Sequence, residues 1–335
     1  ADAIMGKFFS RVFHNEQAGL FLALVLLCLV ISLLTPVFFT AINIKNVLRD
    51  ASLIAIAGIG MVMIILLGEI DLSVGSTQAV AGIVAVAVLN QMDSVWIALL
   101  AALLAGALVG LCNGLLVTKA GINSLIATLG TMAILRGGAM VSTQAVSIQG
   151  KVEGFVEIGT GYVGPVPIPV LLAFLLFGLF YYVLHHTILG RYIYAIGGNI
   201  QAARLSGLAV DRTRVLVYVI GGVLAALSAF ILASRLNSGQ PNAGLGFELQ
   251  VIAAVILGGI SLSGGIGTLG GAFIGILILT VLSNGLVLLN VSSFYHDIAR
   301  GAVIILAVYL DTRRKQSLLR RLLAPPAEET LLLAT

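Results

Sequence analysis

The residues of this sequence best suited to a chemical role are two carboxylates in an otherwise uncharged stretch. Glu69 and Asp71 follow a long apolar run, Ser73 comes next, and Asn113 is a polar member of a later run. An acidic residue at the centre of a membrane helix costs about 2.5–3.5 kcal/mol on insertion scales, so such residues need a role. Two roles stay open. Asp71 or Ser73 could cap the next helix, with Asn113 in a similar polar role, or these side chains could contact a solute or a coupling ion.

Two arginines, Arg136 and Arg300, also fall within apolar runs. Arg300 follows Asp297 by three residues, so the two side chains can pair on one helix face. Arg136 has no acidic neighbour in the sequence, and we expect its partner across the bundle. Phe247 and Tyr295 are aromatic side chains that could line a path. The predicted pathway or gating residues are Glu69, Asp71, Ser73, Asn113, Arg136, Asn237, Gln240, Glu248, Asn284, Asp297 and Arg300.

The sequence shows no pattern of residues that would indicate enzymatic catalysis or nucleotide binding. The four histidines form no evident metal site or nucleophile–base arrangement. Gly265–Gly270 satisfies G-x-G-x-x-G, yet it follows an apolar membrane run, and Asn290 stands where a ribose-binding acid would be. No lysine precedes Ser or Thr, so the sequence has no P-loop. We therefore expect no catalytic residue, no metal site and no cofactor in this chain.

The elements that position these residues are membrane helices. Hydrophobic residues make up 59% of the 335 residues, charged residues make up 10%, and the mean hydropathy is +1.12. Soluble domains carry about 25% charged residues, and about 20 apolar residues span a bilayer as a helix. The sequence therefore predicts an all-α polytopic membrane protein with about ten transmembrane helices. The predicted spans are 18–39, 46–67, 74–90, 95–118, 122–142, 166–186, 214–234, 248–260, 268–289 and 296–311.

The eighth span, 248–260, is too short to cross untilted, which predicts a short, re-entrant or broken helix. Ten crossings put both termini on one side of the membrane. Twelve of the 18 Lys and Arg residues then fall on that side and four on the other, which predicts cytoplasmic termini. The predicted organisation is a cytoplasmic segment 1–17, a transmembrane domain 18–311, and a basic cytoplasmic tail 312–335 that is partly disordered.

One polar and basic connection, 187–213, is long enough to contact a soluble partner. Asn199 is a good N-cap, residues 200–206 can form about two helical turns, and Gly207 can take the left-handed conformation that ends a helix. A short helix with defined ends, lying outside the membrane, gives a rigid contact surface. On the other side, the connection 143–165 is either a docking surface for an extracytoplasmic partner or a solvated connector, and both stay open.

Internal similarity predicts two weakly repeated halves. Gly68–Gly75 and Gly258–Gly265 are identical at five of eight positions, and Asn113-Gly-Leu is matched by Asn284-Gly-Leu. Transporters are often built from repeated halves with the pathway between them, although chance similarity of Gly-rich segments stays open. Glycines four residues apart, at 106, 110 and 114 and at 267, 271 and 275, predict close helix packing.

The 187–213 connection resembles the coupling loop of ABC-transporter permeases. Their E-A-A-x-x-x-G pattern is met by Gln201–Gly207, with Gln in place of the first Glu. From about residue 18 to residue 311 the chain is similar to the ribose-type permeases of bacterial monosaccharide importers, although relatives often have Gly where this chain has Glu69. The similarity is carried by Gly68–Gly75, Gly197-Gly-Asn199, Ala202–Gly207, Ser238-Gly-Gln-Pro241, Val255–Gly259 and Asn284-Gly-Leu286.

The resemblance implies the permease subunit of a bacterial ABC importer for a monosaccharide, located in the inner membrane and without enzymatic activity of its own. The implied partners are a second permease copy or a sister permease, two ATP-binding subunits that hold ATP and Mg²⁺, and a periplasmic sugar-binding protein, but no nucleic acid. The implied ATPase-coupling residues are Gly198, Asn199, Gln201, Ala202, Ala203, Arg204 and Gly207. An alternative stays open, namely an ion-coupled secondary transporter that uses Glu69 and Asp71.

Overall fold

The computed structural model describes residues 16–292 and, beyond them, residues 295, 298–299, 301–303, 305–306 and 308–309. Asp297, Arg300 and the predicted tail 312–335 lie outside the described residues, as does nearly all of the predicted segment 1–17. Within the described part, eight helices are long and apolar enough to span a membrane. The prediction of an all-α polytopic membrane protein is confirmed.

The described helices are α1 Glu16–Leu34, α2 Ala41–Leu66, α3 Val74–Met92, α4 Val95–Thr118, α5 Ser124–Thr143, α6 Phe155–Thr160, α7 Ile168–His186, α8 Ile188–Gly198, α9 Ile200–Leu205, α10 Val210–Leu236, α11 Phe247–Leu257 and α12 Leu269–Leu288. Short strands pair antiparallel, β1 Ile148–Gln149 with β4 Ser238–Gly239, and β2 Tyr162–Val163 with β3 Val166–Pro167. The predicted short span 248–260 is α11, whose 11 residues rise only about 16 Å. The last predicted span, 296–311, is described only in part, and its described residues are helical.

Local chemistry sets the helix ends. Helix α1 ends at Leu34, earlier than predicted, because Pro36 disfavours helical backbone at the residue before it. Helix α2 begins at Ala41, also earlier than predicted, because the Thr40 side chain accepts a hydrogen bond from the Asn43 N–H group. Helix α10 begins at Val210, so part of the predicted connection 187–213 belongs to it.

Helix α2 lies at the centre of the bundle, and its residues 51–66 are all buried. The glycine face of α4 packs closely against α10. A Cβ atom added at Gly106 would lie 2.2 Å from the Gly222 carbonyl oxygen, and one added at Gly110 would lie 2.2 Å from the Tyr218 carbonyl oxygen. Such a close approach of two backbones is how helices associate in lipid, so the predicted packing role of this face is confirmed.

The second predicted glycine face has two members rather than three. A Cβ atom added at Gly275 would lie 2.1 Å from the Ala254 carbonyl oxygen, and Gly271 also approaches α11. Gly267 precedes the helix, with φ of +130°, because the Thr268 side chain caps α12 by accepting a hydrogen bond from the Gly271 N–H group. The helix therefore begins after Gly267, which corrects its predicted place on this face.

The connections between helices gather at two ends of the bundle. The first, which we call the basic end, comprises 67–73, 119–123, 187–209 and 258–268. There the Gly265 N–H group donates to the Leu66 carbonyl oxygen over 2.8 Å, and the Tyr194 hydroxyl donates to the Gly267 carbonyl oxygen over 3.0 Å. The second, which we call the opposite end, comprises 35–40, 93–94, 144–167, 237–246 and 289–292.

The two segments of the first internal repeat lie in contact at the basic end. Gly68–Gly75 joins α2 to α3, Gly258–Gly265 lies between α11 and α12, and a Cβ atom added at Gly264 would lie 2.7 Å from the Gly68 nitrogen. The second matched pair is placed differently. Asn113 lies towards the basic end and Asn284 towards the opposite end. The chain crosses the bundle in α3 and returns in α4 before it reaches Asn113, whereas it crosses only once, in α12, before it reaches Asn284.

Candidate functional site

The predicted short helix in the 187–213 connection is present. The Asn199 side-chain oxygen accepts hydrogen bonds from the N–H groups of Gln201 over 3.0 Å and Ala202 over 2.9 Å, and helix α9 follows. Gly207 has φ of +80°, the left-handed conformation predicted for it. An N-cap oxygen and a terminal glycine thus define both ends of α9, which confirms the local prediction.

Helix α8, immediately before α9, was not predicted from the sequence. The Thr187 side chain accepts a hydrogen bond from the Gly190 N–H group at its start, and Ile193 and Ile196 are buried against the bundle. Apolar residues three positions apart behind a threonine are a helix signal that the basic composition of the segment obscured. Helix α8 attaches the base of α9 to the bundle.

Six of the seven predicted coupling residues lie on one exposed surface. They are Gly198, Asn199, Gln201, Ala202, Arg204 and Gly207. Ala203, the seventh, is only 4% exposed, because it faces the bundle and anchors the helix. Leu205, which is 91% exposed beside them, is not among the residues predicted from the sequence. Leu205 adds an apolar side chain to this exposed surface.

An ion pair at the basic end joins two distant parts of the chain. The Arg214 Nε donates to Glu69 Oε1 over 2.5 Å, and the two side chains are 13% and 8% exposed. The Tyr218 hydroxyl lies beside this pair. Burial raises the pKa of the Glu69 carboxyl, and the Arg214 guanidinium opposes that shift. Glu69 is therefore neither a helix cap nor a free carboxylate.

Asp71 organises the start of α3. Its Oδ1 accepts hydrogen bonds from the Ser73 N–H group over 2.8 Å and the Ser73 hydroxyl over 2.6 Å. The Asn113 side-chain amide in turn donates to the Ser73 hydroxyl over 2.8 Å. Ser73 stands at the N-cap position, but its own side chain caps no backbone group. Neither side chain therefore caps α3 in the predicted way, and the network of Asp71, Ser73 and Asn113 instead ties the start of α3 to α4.

Arg136 meets its partners across the bundle, as predicted, but these partners are carbonyl groups. Its guanidinium donates to the carbonyl oxygens of Pro241 over 2.6 Å and Ala243 over 2.8 Å. The negative charge of Glu248 also stabilises the positive charge of the Arg136 guanidinium. Arg136 therefore holds the 237–246 connection against α5.

Asn237 and Gln240 also hold the opposite end together. Asn237 has φ of +48°, and its side-chain amide donates to the Gly150 carbonyl oxygen over 3.2 Å. Gln240 donates to the Ser238 hydroxyl over 3.1 Å. Neither residue lines the cavity described below, nor does Glu248. Asn237 and Gln240 serve to position loops, because their side-chain amides donate hydrogen bonds within this end of the chain.

The 143–165 connection is more than a solvated connector. Phe155 of helix α6 is fully buried, with its ring centroid 5.5 Å from that of Phe230. The Gly159 N–H group donates to the Ser234 hydroxyl over 2.8 Å, so α6 is fastened to α10. The segment forms a firm part of the opposite end, and its predicted role as a docking surface stays a prediction.

A polar cavity of about 610 Å³ lies towards the opposite end, between α2, α3, α10, α11 and α12. Of the predicted pathway residues that are described, Asn284 lines it. The other polar or charged lining residues are Asn43, Asn46, Asp50, Gln78, Arg235, Gln250, Thr280 and Ser283. The positions of Asn43, Asn46 and Asp50, three and four residues apart on α2, were the signal in the sequence for a polar helix face.

Side-chain contacts connect the helices around this cavity. Asn43 and Asn284 exchange two amide hydrogen bonds, over 3.0 and 2.8 Å, and so join α2 to α12. The Arg235 guanidinium donates to Asp50 Oδ1 over 2.5 Å and so joins α10 to α2. In the part of the chain that the structure describes, no three or more His, Cys, Asp and Glu side chains are placed to hold a metal ion.

Comparison with known proteins shows what the chain is similar to. A family model described as "Branched-chain amino acid transport system / permease component" matches residues 43–308. The chain is 44% identical over 316 residues to the ribose import permease protein of Escherichia coli (strain K12), covering 92% of this chain and 97% of that relative. It is 44% identical over 302 residues to the ribose import permease protein of Bacillus subtilis (strain 168), covering 89% and 94%.

A further relative is the L-arabinose transport system permease protein of Escherichia coli (strain K12), 39% identical over 309 residues, with 92% of this chain and 94% of that relative covered. No solved structure matches the chain. The family model names branched-chain amino acids whereas these relatives are named for sugars, so family membership alone does not determine the substrate. With the family model matched from residue 43 to residue 308 and relatives similar over nearly its whole length, this chain belongs to the family of ABC-transporter permease components.

Proposed function

We propose that this chain is the membrane-spanning subunit of an ABC importer that moves a monosaccharide, a pentose or hexose of the ribose type, driven by ATP hydrolysis in partner subunits. The names of the ribose and L-arabinose permeases to which it is similar support a sugar as the substrate. The observation that carries the proposal is α9, a short helix with two defined ends on the exposed surface of the basic end.

The surface of α9 fits an ATP-binding subunit. Leu205 is 91% exposed and Ile200 is 38% exposed, so a soluble partner would remove apolar surface from water. Ala203 is buried on the other side of the same helix. A force on the exposed side would therefore move α9 as a rigid body against the bundle.

Two ion pairs connect α9 to the helices around the cavity. Arg204 binds Asp211 at the start of α10 over 2.8 Å. Arg214, close to the start of α10, binds Glu69 between α2 and α3. Closure of the ATP-binding subunits on α9 would thus reach α2, α3 and α10, which all line the cavity at the opposite end. Such a bias can switch the bundle between two arrangements only if their free energies differ by no more than a few kcal/mol.

The charge distribution supports a cytoplasmic location for the basic end and for both termini, since basic connections of membrane proteins stay in the cytoplasm. Two ATP-binding subunits, with their ATP and Mg²⁺, would then dock at this end. A second permease copy or a sister permease would complete the membrane part in the bacterial inner membrane, and a periplasmic binding protein would deliver the sugar to the opposite end. This chain itself would hold no cofactor.

The alternative of an ion-coupled secondary transporter at Glu69 and Asp71 is wrong, because the chain belongs to the family of ABC-transporter permease components. Glu69 is paired with Arg214, and Asp71 accepts two hydrogen bonds from Ser73. A coupling cation would have to displace a buried guanidinium from its counter-charge, which is costly. Neither carboxylate lines the cavity.

Uptake into proteoliposomes that contain the full complex tests the proposed function. ATP is enclosed in the compartment that faces the basic end, the binding protein and labelled D-ribose or L-arabinose are supplied on the other side, and ionophores collapse every ion gradient. We expect ATP-dependent accumulation of sugar. Uptake that disappears with the ion gradients, or ATP-driven uptake of L-leucine and of neither sugar, would refute the proposal.

A matched pair of variants tests the role of α9. Leu205→Asp places a charge in the surface that the ATP-binding subunit would cover, where an unpaired charge costs several kcal/mol. We expect much less ATP-binding subunit to remain bound during purification of the complex. Val146→Asp, at a residue of the opposite end that is 66% exposed, is the control and should retain the subunits. Equal retention by the two variants would contradict the role of α9.

A further inference from the structure

We propose that the cavity towards the opposite end is a binding site for a neutral, hydroxylated ligand of monosaccharide size, oriented by Asn46, Gln250 and Ser283. This inference rests on the proposed function and adds to it the place where the sugar is held within this chain. The volume of about 610 Å³ falls within the range of about 300–1,000 Å³ that is usual for sites of small ligands.

Apart from Thr280, whose hydroxyl donates to the Ile276 carbonyl oxygen of its own helix, the polar side chains of the cavity wall fall into two groups. The first group is hydrogen-bonded to side chains of other helices and comprises Asn43, Asn284, Asp50, Arg235 and Gln78. The second group comprises Asn46, Gln250 and Ser283, whose side chains form no hydrogen bond with another described residue although they line the cavity. The first group holds the wall in place, and the second has its donors and acceptors available.

The available groups suit the hydroxyls of a sugar. Asn46 stands on α2, Gln250 on α11 and Ser283 on α12, so they approach the cavity from three helices. An amide and a hydroxyl each both donate and accept hydrogen bonds, as each sugar hydroxyl does. A few available polar groups beside apolar side chains can orient a small ligand in its pocket.

The charges of the wall compensate each other. Asp50 and Arg235 are paired over 2.5 Å, and within the described part of the chain no other charged residue lines the cavity. An ionic or zwitterionic ligand would have to compete with this pair for its charges, whereas a neutral ligand leaves the pair intact. The wall therefore favours a sugar over the amino acids named in the description of the family model.

Apolar side chains supply a second kind of surface. Leu53, Leu245, Phe247 and Val287 line the cavity together with the polar groups. A sugar ring presents C–H groups on its faces and hydroxyls at its edge, so it can bury a face against these side chains while its edge meets the amides. A wall with both polar and apolar side chains also releases such a ligand readily, because no single contact between wall and ligand is strong.

Protection of a cysteine in the cavity tests the inference. In a background of Cys28→Ala and Cys112→Ala, Leu288→Cys places a thiol in the wall without replacing any of the three orienting side chains. The full complex is treated with a small thiol reagent while D-ribose, L-arabinose or L-leucine is titrated. At a ligand concentration about four times its dissociation constant, the free fraction and hence the modification rate should fall about fivefold. Asn242→Cys, at an exposed residue of the same end that does not line the cavity, is the control and should show no protection.

The outcomes separate this inference from the proposed function. Protection by either sugar that is lost on adding Asn46→Ala or Gln250→Ala, and kept on adding Asn242→Ala, supports the site. Protection by L-leucine alone, no protection by any ligand, or protection that survives both alanine variants overturns it. ATP-driven sugar uptake is measured in parallel with the complex that carries only Cys28→Ala and Cys112→Ala. Uptake without protection refutes the binding site alone, whereas absence of sugar uptake refutes the proposed function.

Discussion

The substitution Glu69→Gln tests how the basic end is held together. The Arg214 guanidinium donates to Glu69 Oε1 over 2.5 Å, and the two side chains are 13% and 8% exposed. Glutamine keeps the size of the side chain and one acceptor oxygen but removes the negative charge. The variant therefore leaves the Arg214 charge largely buried without a counter-charge, and its effect should be far larger than that of removing a helix cap.

The magnitude can be worked out from the burial of the pair. At an effective dielectric constant of about 20, two unit charges about 4 Å apart attract by about 4 kcal/mol. Removal of one partner from a buried pair costs about 3–5 kcal/mol in measured cases. Burial raises the pKa of Glu69, so part of the attraction only offsets the desolvation of the carboxylate itself. We therefore expect the free energy of unfolding to fall by about 3 kcal/mol, at the lower limit of that range.

The assay is reversible unfolding by SDS titration of the purified chain in mixed micelles. Arg214→Met and the double variant Glu69→Gln/Arg214→Met complete a double-mutant cycle, and the double variant should be more stable than Glu69→Gln alone because no unpaired charge remains buried. Asp211→Asn is the matched control. It breaks the exposed pair with Arg204, joined over 2.8 Å, and should cost less than about 1 kcal/mol.

Two results would refute the reasoning. The first is a loss for Glu69→Gln as small as the loss for Asp211→Asn, which would mean that the buried pair behaves like a surface pair. The second is strict additivity in the cycle, because residues that act as a pair have a coupling energy different from zero.

The remaining contacts lead to three further expectations. Gly110→Ala should lower the unfolding temperature, because the added Cβ would lie 2.2 Å from the Tyr218 carbonyl oxygen, whereas Gly138→Ala, with nothing within 4 Å, should keep or raise it. Asp71→Asn should cost less than about 1 kcal/mol in SDS titration, because Asn can still accept both hydrogen bonds from Ser73, and a loss equal to that of Glu69→Gln would contradict this. Gln201→Cys should resist an impermeant thiol reagent on intact cells and react in inverted vesicles, and rapid labelling from outside would reverse the orientation.

The features predicted correctly from the sequence depend on neighbours in the chain. In a bilayer, the backbone N–H and C=O groups of a spanning segment must form their hydrogen bonds within a helix. The length and composition of each apolar run therefore predict the crossing. Helix α9 was predictable for a similar reason, since Asn199 and Gly207 define its ends by contacts within nine residues. The ends of α1 and α2 were predicted less well, because Pro36 and Thr40 outweigh a smooth apolar pattern.

The residues that line the cavity could not be read from the sequence, because the helices are apolar on nearly every side. A soluble helix shows its buried face by contrast with its polar face, and that contrast is weak in lipid. Among the described residues that were predicted to form the path, Asn284 lines the cavity, whereas Asn237 and Gln240 hold the loops of the opposite end. The place of Asn46 and Gln250 at the same cavity depends on how α2 and α11 are rotated.

The sequence by itself determined the membrane class, most helices, the capped α9 and the resemblance to ABC permeases, since each of these depends on composition or on residues close together in the chain. The tertiary structure alone decided what Glu69 does, because its partner Arg214 is 145 positions away and nothing local indicates that the two meet. It also decided the position of the cavity and the division of its polar side chains into paired and available groups. Contacts between distant helices depend on the packing of the whole bundle, in which close approaches such as that of Gly110 to Tyr218 orient each helix against its neighbours.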